Sequence, residues 1–422
     1  MHIVVVTHYF PPIGGPGAKK IQGWMRGFER AGARLTVITP QAEPADAYYD
    51  QSHYSGSARV VRVPIWDVSR RVRGAQAQAA SGSGNSPSLG KRLRPWLLLP
   101  DHRRAGNPAL LQAARVAVDG PAVLLTTSPY NSVHLVGLHL RRELGDLVTW
   151  IADFRDDWMH PDFFPFPTAL HRSYNAWLEG LVLAGADRVT VIDSTVQTRQ
   201  HQRHPELAPT KWQIVPNGVD DSATVAAAAD VGPAHDGVFR AAYVGTLWDC
   251  HNLDATMAAL GQLAREGQRV EFTLAGRLAT RLPRLPEHPN FTFRHVEWLP
   301  AADAIRLTAR QDLCVVHAGP VPESMATKLF DAMSLRKPIL HVGMLQCVAA
   351  DLMRARVAQP LIYDDRDDAG IYGGLRQLLG AADRSVFGFA AGMPQEFDRA
   401  AQGEQLARWA RQHQLRTFSA TM

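Results

Sequence analysis

Residues 322–333 read PESMATKLFDAM, and the tail RKPIL follows at residues 336–340. The pattern predicts a loop that passes into a helix, with Ser324 or Thr327 available as a cap for the first turn. Apolar side chains recur at helical spacing along this stretch: they are Leu329, Phe330 and Met333. The sequence therefore predicts a buried helix that carries a few selected polar groups.

Two carboxylates, Glu323 and Asp331, mark the two ends of this stretch, and Lys328 lies between them off the apolar face. At about 1.5 Å rise per residue, the carboxylates lie roughly 12 Å apart along the element. A glycosidase pair needs a separation of roughly 5 to 9.5 Å, so this spacing does not fit one. It suits an extended ligand that is held at both ends, with the free N–H groups of a helix N-terminus offered to an anion between them. A nucleotide-diphosphate sugar has this shape.

The composition describes a folded protein with two domains. The chain has 422 residues, 46% of them hydrophobic and 20% charged, which suits two α/β domains. Its longest apolar runs fall short of the roughly 18 residues that a membrane span needs. The three cysteines show no CxxC spacing, so we expect a reduced, cytoplasmic protein without a structural metal. The net charge of 45 − 40 = +5 does not select a partner.

Strand and helix patterns alternate through both halves of the chain, which predicts parallel sheets covered on both faces. The first strand is predicted at residues 2–7, and residues 8–17, HYFPPIGGPG, form a glycine-rich loop before a helix near residues 18–31. In doubly wound folds such a loop contacts a phosphate or a substrate at the carboxyl end of the strand. The glycine spacing is not GxGxxG, so a dinucleotide fingerprint is not indicated.

The stretch at residues 322–340 resembles the donor-site motif of the retaining family-four glycosyltransferases, in which Glu, seven residues and a second Glu precede GKPI. The loop at residues 9–15, YFPPIGG, and the segment IVPNGVD at residues 214–220 are similar to two further motifs of that family. The resemblance implies the GT-B fold, with two Rossmann-like doubly wound α/β domains facing across a central cleft. It implies an N-terminal acceptor domain at 1–205, a C-terminal donor domain at 212–395, and a helix at 396–422 that packs back on the first domain.

The resemblance also implies a donor site. Gly15 holds the place of a glycine that lets the backbone approach the donor phosphates, and Asp331 holds the place of the ribose-binding Glu. Thr246 and His251 stand where the relatives have a diphosphate-binding Arg and Lys. We expect Arg277 and Lys328 to supply that charge in place of His251, because their charge does not depend on neutral pH. The expected donor-binding residues are Gly15, Thr246, Arg277, Met325, Ala326, Thr327, Lys328 and Asp331.

Residues 151–158, IADFRDDW, resemble a segment of a bacterial branch of the same family. By position, Asp153 stands at the place of an active-site His and Asp156 at the place of an Asp. The resemblance therefore implies that Asp153, Asp156 and Glu323 form the catalytic set, facing the transferred sugar. An alternative reading is that Arg155 pairs with one of these acids inside the fold.

The implied activity is retaining transfer of a glycosyl group from a nucleotide-diphosphate sugar to an acceptor hydroxyl of a glycan, glycolipid or natural product. No cofactor, no strictly required metal and no nucleic-acid partner are expected. A second hypothesis is a catalytically inactive GT-B subunit that scaffolds an active partner, which the replaced cations and Asp331 motivate. A third is a GT-B phosphorylase or a sugar epimerase.

Residues 66–104 interrupt the alternating pattern with a segment that is rich in cations. Basic and large apolar groups together suit an anionic bilayer, each cation near the surface contributing about 1 kcal/mol. We therefore expect either a membrane-facing or acceptor-facing loop, with the protein peripheral at the inner face of the cell membrane, or a solvated insertion. The basic residues are Arg70, Arg71, Arg73, Lys91, Arg92, Arg94, Arg103 and Arg104, and the apolar ones include Trp66 and Trp96.

Overall fold

A computed structural model describes most of the chain in atomic detail. The described residues are 1–44, 46, 49, 53–65, 96, 99–160, 166–219, 236–297, 299–319, 322, 327–389 and 394–421. Glu323, Met325 and Ala326 lie outside them, as does most of the basic segment at residues 66–104. The chain divides into two compact units, Met1–Pro216 with Arg399–Met422, and Asn217–Asp398.

The first unit is built on a seven-stranded sheet with the order β3-β2-β1-β4-β5-β6-β7, in which every neighbouring pair is parallel. Strands β1, β4 and β5 are buried along their whole length, as expected for a parallel sheet that is covered on both faces. The strands are β1 (His2–Thr7), β2 (Arg34–Pro40), β3 (Arg59–Val63), β4 (Ala122–Thr127), β5 (Val148–Phe154), β6 (Arg188–Val191) and β7 (Trp212–Ile214).

Helices cover both faces of this sheet, and two of them approach closely. A Cβ added at Gly27 would lie 2.0 Å from the Ala400 carbonyl oxygen, and one at Gly403 would lie 2.2 Å from the Trp24 carbonyl oxygen. Only glycine permits this contact, which joins the last helix of the chain to the first. The helices of the unit are α1 (Gly15–Arg30), α2 (Asn107–Ala117), α3 (Val133–Leu144), α4 (Ala169–Gly185), α5 (Ser194–Arg203) and α11 (Arg399–Thr421).

The second unit carries a six-stranded parallel sheet with the order β10-β9-β8-β11-β12-β13. Its first and last residues lie side by side, because Val219 N–H donates to the Phe397 carbonyl oxygen at 2.8 Å. The strands are β8 (Val238–Val244), β9 (Arg269–Ala275), β10 (Phe291–Val296), β11 (Leu313–His317), β12 (Ile339–Val342) and β13 (Leu361–Tyr363), and the helices are α6 (Asp254–Arg265), α7 (Ala301–Ala309), α8 (Thr327–Ser334), α9 (Val348–Arg356) and α10 (Asp368–Gly380).

Each sheet has one point where the strand order reverses, between β1 and β4 in the first unit and between β8 and β11 in the second. The connections leave these central strands in opposite directions, which opens a crevice at their carboxyl ends. The predicted strand at residues 2–7 is confirmed. Helix α1 begins at Gly15, three residues earlier than predicted, because glycine and proline fit a first helical turn whose N–H groups need no partner.

The described residues contain neither a membrane-spanning helix nor a metal-binding cluster. None of their helices combines the length and the apolar character that a membrane crossing requires. They also contain no cluster of three or more His, Cys, Asp or Glu side chains arranged to hold a metal ion.

Candidate functional site

The crevice of the second unit is formed by the loops that follow β8 and β9. Gly245 has φ +134° and Gly276 has φ +147°, conformations that L side chains rarely adopt. A Cβ at Gly276 would lie 2.2 Å from the Gly245 carbonyl oxygen, so both conformation and space require glycine there. Leu247 N–H then donates to the Arg277 carbonyl oxygen at 2.9 Å, which holds the two loops together. The two glycines thus bring the two loops together, backbone against backbone, at the carboxyl ends of two strands.

Lys328 brings a cation to this stretch from helix α8. A Cβ at Gly245 would lie 3.6 Å from Lys328 Nζ, and Nζ lies 3.4 Å from the centroid of the Tyr243 ring. Within the helix, Leu329 and Phe330 are fully buried, while Lys328 is half-buried by surface area. Desolvation around its ammonium lowers the pKa of Lys328 to about 7. The predicted division of this helix into an apolar face and a polar face is confirmed.

His251 lies beside Lys328 but does not add to the positive charge. Its Nδ1 lies 2.8 Å from the Tyr243 hydroxyl, and its ring stacks on His317 with the centroids 4.6 Å apart. Burial, followed by the charge of Lys328, lowers the pKa of His251 to about 3. The ring is therefore neutral at pH 7, so His251 supplies no cation at the place where the family that the sequence resembles has a lysine.

His317 ends β11 on the other side of the crevice. Its Nε2 lies 3.2 Å from Asp365 Oδ2 and accepts from the Asn252 N–H at 3.2 Å. Burial lowers the pKa of His317 although Asp365 opposes the shift. Its buried Nδ1 lies on the side of Gly343, where an added Cβ would come within 3.2 Å of it. The ring is therefore packed on both edges inside the second unit.

Four further predicted donor residues lie in the second unit, on the loops after β8 and β9 and on helix α8. Thr246 is half-buried, and its carbonyl oxygen accepts from the Tyr243 hydroxyl at 3.0 Å. Arg277 has an exposed side chain on the loop after β9. Thr327 begins helix α8, and the half-buried Asp331 one turn later contributes to the raised pKa of the Cys314 thiol, whose main cause is burial.

The first unit has a polar cluster at the carboxyl end of its sheet, centred on Asp153. The carboxylate is 0% exposed and pairs with Lys20 Nζ of α1 at 3.1 Å. Thr127 and Thr190 on the neighbouring strands each donate to it at 2.7 Å. Desolvation lowers the pKa of Lys20, and the charge of Asp153 opposes that shift. The expectation that Asp153 faces the transferred sugar therefore differs from the structure, in which its oxygens are occupied inside the fold.

Two neighbours of Asp153 in sequence take other positions. Asp156 is half-buried on the loop after β5. Arg155 is half-buried too, and its guanidinium lies against the start of α1, where a Cβ at Gly17 would lie 2.5 Å from Nη1. Asp153 pairs with Lys20 and not with Arg155. Gly15, the first residue of α1, has φ +84°, which favours glycine whether or not a phosphate approaches.

Sequence reasoning did not identify Lys20, Tyr243 or His317. Lys20 gives no local signal, since its partner Asp153 lies 133 residues away in the chain. His317 does carry a signal, because it directly follows the apolar run at residues 313–316, and ligands bind at the carboxyl ends of the strands in parallel sheets. Glu323, Met325 and Ala326 stay predictions, because they lie outside the described residues.

Comparisons with known proteins identify the fold. No protein-family model and no curated protein matches the sequence. Three solved structures illustrate the similarity in fold. A sucrose-phosphate synthase from Thermosynechococcus elongatus is 15% identical with a TM-score of 0.58, over 99% of each chain. The catalytic domain of starch synthase IV from Arabidopsis thaliana, bound to ADP and acarbose, is 11% identical with a TM-score of 0.58, over 97% of this chain and 99% of that one.

The third is Anabaena HepE in complex with UDP-glucose, which is 13% identical with a TM-score of 0.53, over 99% of each chain. At these identities the likeness establishes the fold and nothing finer. Both parallel sheets, with seven and six strands, take part in it. The chain therefore has the GT-B fold, built from two doubly wound α/β domains.

Proposed function

We propose that this protein is a retaining glycosyltransferase that moves a glycosyl group from a nucleotide-diphosphate sugar to an acceptor hydroxyl. The observation that carries the proposal is the crevice of the second unit, where the backbone of Gly245 packs against Gly276 and lies beside the Lys328 ammonium. A diphosphate needs both close backbone approach and positive charge. Few other ligands need the two together.

The electrostatics of Lys328 support the same ligand. Desolvation makes its ammonium less stable than in water, which is why its pKa falls to about 7. A bound diphosphate supplies the opposite charge and restores the charged form. The neutral His251 leaves the role of diphosphate-binding cation to Lys328 and to the exposed Arg277.

The remaining roles follow from the family resemblance. Glu323 and Asp156 orient the sugar, and Asp331 holds the ribose. Lys328, Arg277, Gly15 and the amides after Glu323 stabilise charge on the departing diphosphate, which itself takes the acceptor proton in a front-face attack. Asp153, assigned to the catalytic set by position, acts in this proposal through the fold, because it is fully buried and paired.

No metal or cofactor enters this proposal, because protein cations and amides neutralise the diphosphate. The acceptor is proposed to bind the first unit. UDP-glucose in the HepE complex and ADP in the starch synthase complex make uridine and adenine nucleotides the first probes.

The test is a thermal-shift screen of the purified chain against UDP, GDP, dTDP, ADP and CMP, with and without EDTA. A ligand at 100 times its dissociation constant stabilises by about 2.7 kcal/mol. One nucleotide should raise Tm in the wild type and in Lys337→Met, but not in Lys328→Met. Lys337 is a matched control, because it lies just before β12 at the opposite edge of the sheet from the crevice.

Turnover separates an enzyme from a protein that only binds nucleotides. Glu323→Gln should keep the nucleotide shift and lose transfer by about 100-fold or more, since the sugar is no longer oriented for attack. Normal turnover in this variant would contradict the assignment of Glu323.

The second candidate function is an inactive GT-B subunit that scaffolds an active partner. The observation that favours it is the loss of both family cations, with Thr246 uncharged and His251 neutral at pH 7. Absence of a shift with every nucleotide, in a well-folded sample, would support this candidate and reject the first.

A further inference from the structure

Arg155 carries a positive charge that no acid of the described chain balances. It directly follows β5, and its backbone N–H donates at 3.2 Å to the hydroxyl of Ser128, the residue after β4. Its side chain is half-buried, and the Nε atom is buried without a hydrogen-bond partner among the described residues. Keeping a charge away from water without a partner is unfavourable, so a bound anion would stabilise this side chain.

Asp153, two residues earlier in the chain, does not supply the missing negative charge. Its carboxylate pairs with Lys20 Nζ at 3.1 Å and accepts from two threonines. Desolvation is the main cause of the lowered pKa of Lys20, and the charge of Arg155 acts in the same direction. Two cations therefore face one carboxylate, and these three groups together carry one net positive charge.

The guanidinium of Arg155 lies against the first turn of α1. A Cβ added at Gly17 would lie 2.5 Å from Nη1 of Arg155 and 3.3 Å from Cβ of Tyr9. Glycine at position 17 thus leaves room for the guanidinium and brings it beside Tyr9. Because Tyr9 follows β1 and Ser128 follows β4, the cation lies by the two strands between which the order reverses, where ligands bind in such sheets.

Tyr9 and Tyr130 form an aromatic surface beside this cation. Their ring centroids are 6.2 Å apart, and the ring planes differ by 25°. His102 meets the Tyr130 ring edge-on with the centroids 4.5 Å apart, and Cζ of Arg103 lies 5.6 Å from the centroid of the same ring. Both tyrosines are half-buried, so part of each side chain remains accessible. The first unit therefore offers a partly apolar surface next to an unbalanced positive charge.

A cation beside aromatic rings fits a sugar that carries a phosphate. A guanidinium binds phosphate through paired N–H donors, and the C–H groups of a sugar ring pack on aromatic rings, whose faces are negative. A neutral sugar would contact the rings and leave Arg155 without a counter-charge. Inorganic phosphate would contact Arg155 and leave the rings unused. A sugar phosphate uses both parts of this surface in one molecule.

We propose that Arg155 binds a phosphate group of the acceptor, and that the acceptor is a sugar phosphate whose ring packs on Tyr9 and Tyr130. The anion-binding surface stands on contacts within the first unit. Its assignment to the acceptor rests, in addition, on the proposed glycosyltransferase function. Binding of the phosphate would position a hydroxyl group of the same sugar for transfer.

The test is calorimetric titration of the full chain, without nucleotide, with the 6-phosphates of glucose, fructose and mannose and with the three neutral hexoses. The titrations are repeated in Lys328→Met, which removes the cation of the second unit. In both proteins at least one hexose phosphate should bind about tenfold or more tightly than its neutral hexose. Arg155→Gln should abolish this difference.

Arg142→Gln is the matched control and should retain the difference. Arg142 is exposed in the last turn of α3, which leads to the start of β5, so it lies at the opposite end of the strands from Arg155. Gly17→Ala keeps the arginine but places a methyl group 2.5 Å from its Nη1, so the guanidinium must move and hexose phosphate binding should fall.

Inorganic phosphate tests the contribution of the sugar ring. Tyr130→Ala should weaken binding of the hexose phosphate by about fivefold and leave binding of inorganic phosphate unchanged. Equal affinity of the wild type for inorganic phosphate and for every hexose phosphate would show a site for an adventitious ion only, and would overturn the proposal.

Three further results would overturn it. They are the absence of binding by every hexose phosphate, equal binding by Arg155→Gln and the wild type, and loss of the nucleotide-induced rise in Tm in Arg155→Gln, which would assign the arginine to the donor. The proposed glycosyltransferase function fails by a different result, the absence of a nucleotide-induced rise in Tm in the wild type.

Discussion

Lys328 combines a buried ammonium with a neighbouring glycine backbone, and its protonation should control ligand binding. Its pKa of about 7 lies well below the usual lysine value because of desolvation. A bound diphosphate stabilises the protonated form of Lys328. Above pH 7 the free protein has mostly neutral Lys328 and must take up a proton on binding, whereas below pH 7 Lys328 is already protonated. The affinity for the nucleotide should therefore fall as pH rises above about 7, by up to tenfold per pH unit.

Calorimetric titration in buffers of different ionisation enthalpy measures this proton uptake directly. Lys328→Arg is the control, since arginine stays charged throughout the range. Its binding should be independent of pH between about 7.5 and 9, a range in which the terminal phosphate, with a pKa of about 6, also keeps its charge. An equal slope in this variant and in the wild type would assign the proton to another group.

Gly276 is a second crevice residue at which only glycine fits. Gly276→Ala places a methyl group 2.2 Å from the Gly245 carbonyl oxygen, which should cost about 2 kcal/mol of stability and abolish the nucleotide shift. Gly373→Ala in α10 is the matched control, because no atom lies within 4 Å of its added Cβ; it should be neutral or slightly stabilising. Urea unfolding gives both free energies, and intact nucleotide binding by Gly276→Ala would show that the backbone contact is dispensable.

At the scale of elements, Asp153 joins four parts of the first unit. Thr127 of β4 and Thr190 of β6 donate to it from either side of β5, and Lys20 reaches it from α1. The lysine also lies over the Trp24 ring, 4.5 Å from its centroid. The carboxylate therefore fixes a helix on three adjacent strands at the end of the sheet where ligands bind.

Lys20→Met should destabilise the protein by about 3 kcal/mol or more, because it leaves a buried carboxylate without its counter-charge. Lys20→Met with Asp153→Asn should lose less than Lys20→Met alone, since no buried charge remains. Denaturant unfolding of the two single variants and the double variant measures the coupling. A coupling near zero would contradict the inference that the Lys20–Asp153 pair holds α1 on the sheet.

The sequence predicted strands and helices well where the residues that determine them are close together in the chain. The continuous apolar run at residues 3–6 indicated β1, and the spacing of Leu329, Phe330 and Met333 indicated the buried face of α8, whose side chains are indeed buried. The environment of Asp153 was not predictable in this way. It depends on a helix far away in sequence, and neither propensity nor spacing reports such a pairing.

At the scale of the whole molecule, the GT-B fold followed from the order of the motifs along the chain, and the structural likeness agrees with it. Each crevice follows from strand order alone, because the reversal between β1 and β4, and between β8 and β11, opens each sheet at one point. The protonation states of the crevice residues did not follow from the sequence. That His251 is neutral depends on its burial beside Lys328 and His317, which no single-residue pattern contains.

The two units also differ in continuity, and this predicts how fragments behave. Residues 217–398 form one uninterrupted stretch with adjacent ends, whereas the first unit needs residues 399–421 in addition to 1–216. Expressed alone, 217–398 should fold and give the nucleotide shift, and 1–216 should unfold at lower temperature than 1–216 mixed with a 399–422 peptide. Circular dichroism melts test both, and a stable 1–216 fragment would contradict the importance of the α1–α11 contact.

The hydrogen bond between Val219 and Phe397 has a consequence for engineering and for evolution. Because Val219 and Phe397 lie side by side, the segment between them begins and ends at one place in the second unit. A gene segment that encodes it can therefore be exchanged for the corresponding segment of another protein at only two junctions. Under the proposed function, such a chimaera would take its sugar donor from the inserted segment and keep the acceptor of its host. Recombination at these two junctions would then give new glycosidic products without gradual redesign of either half.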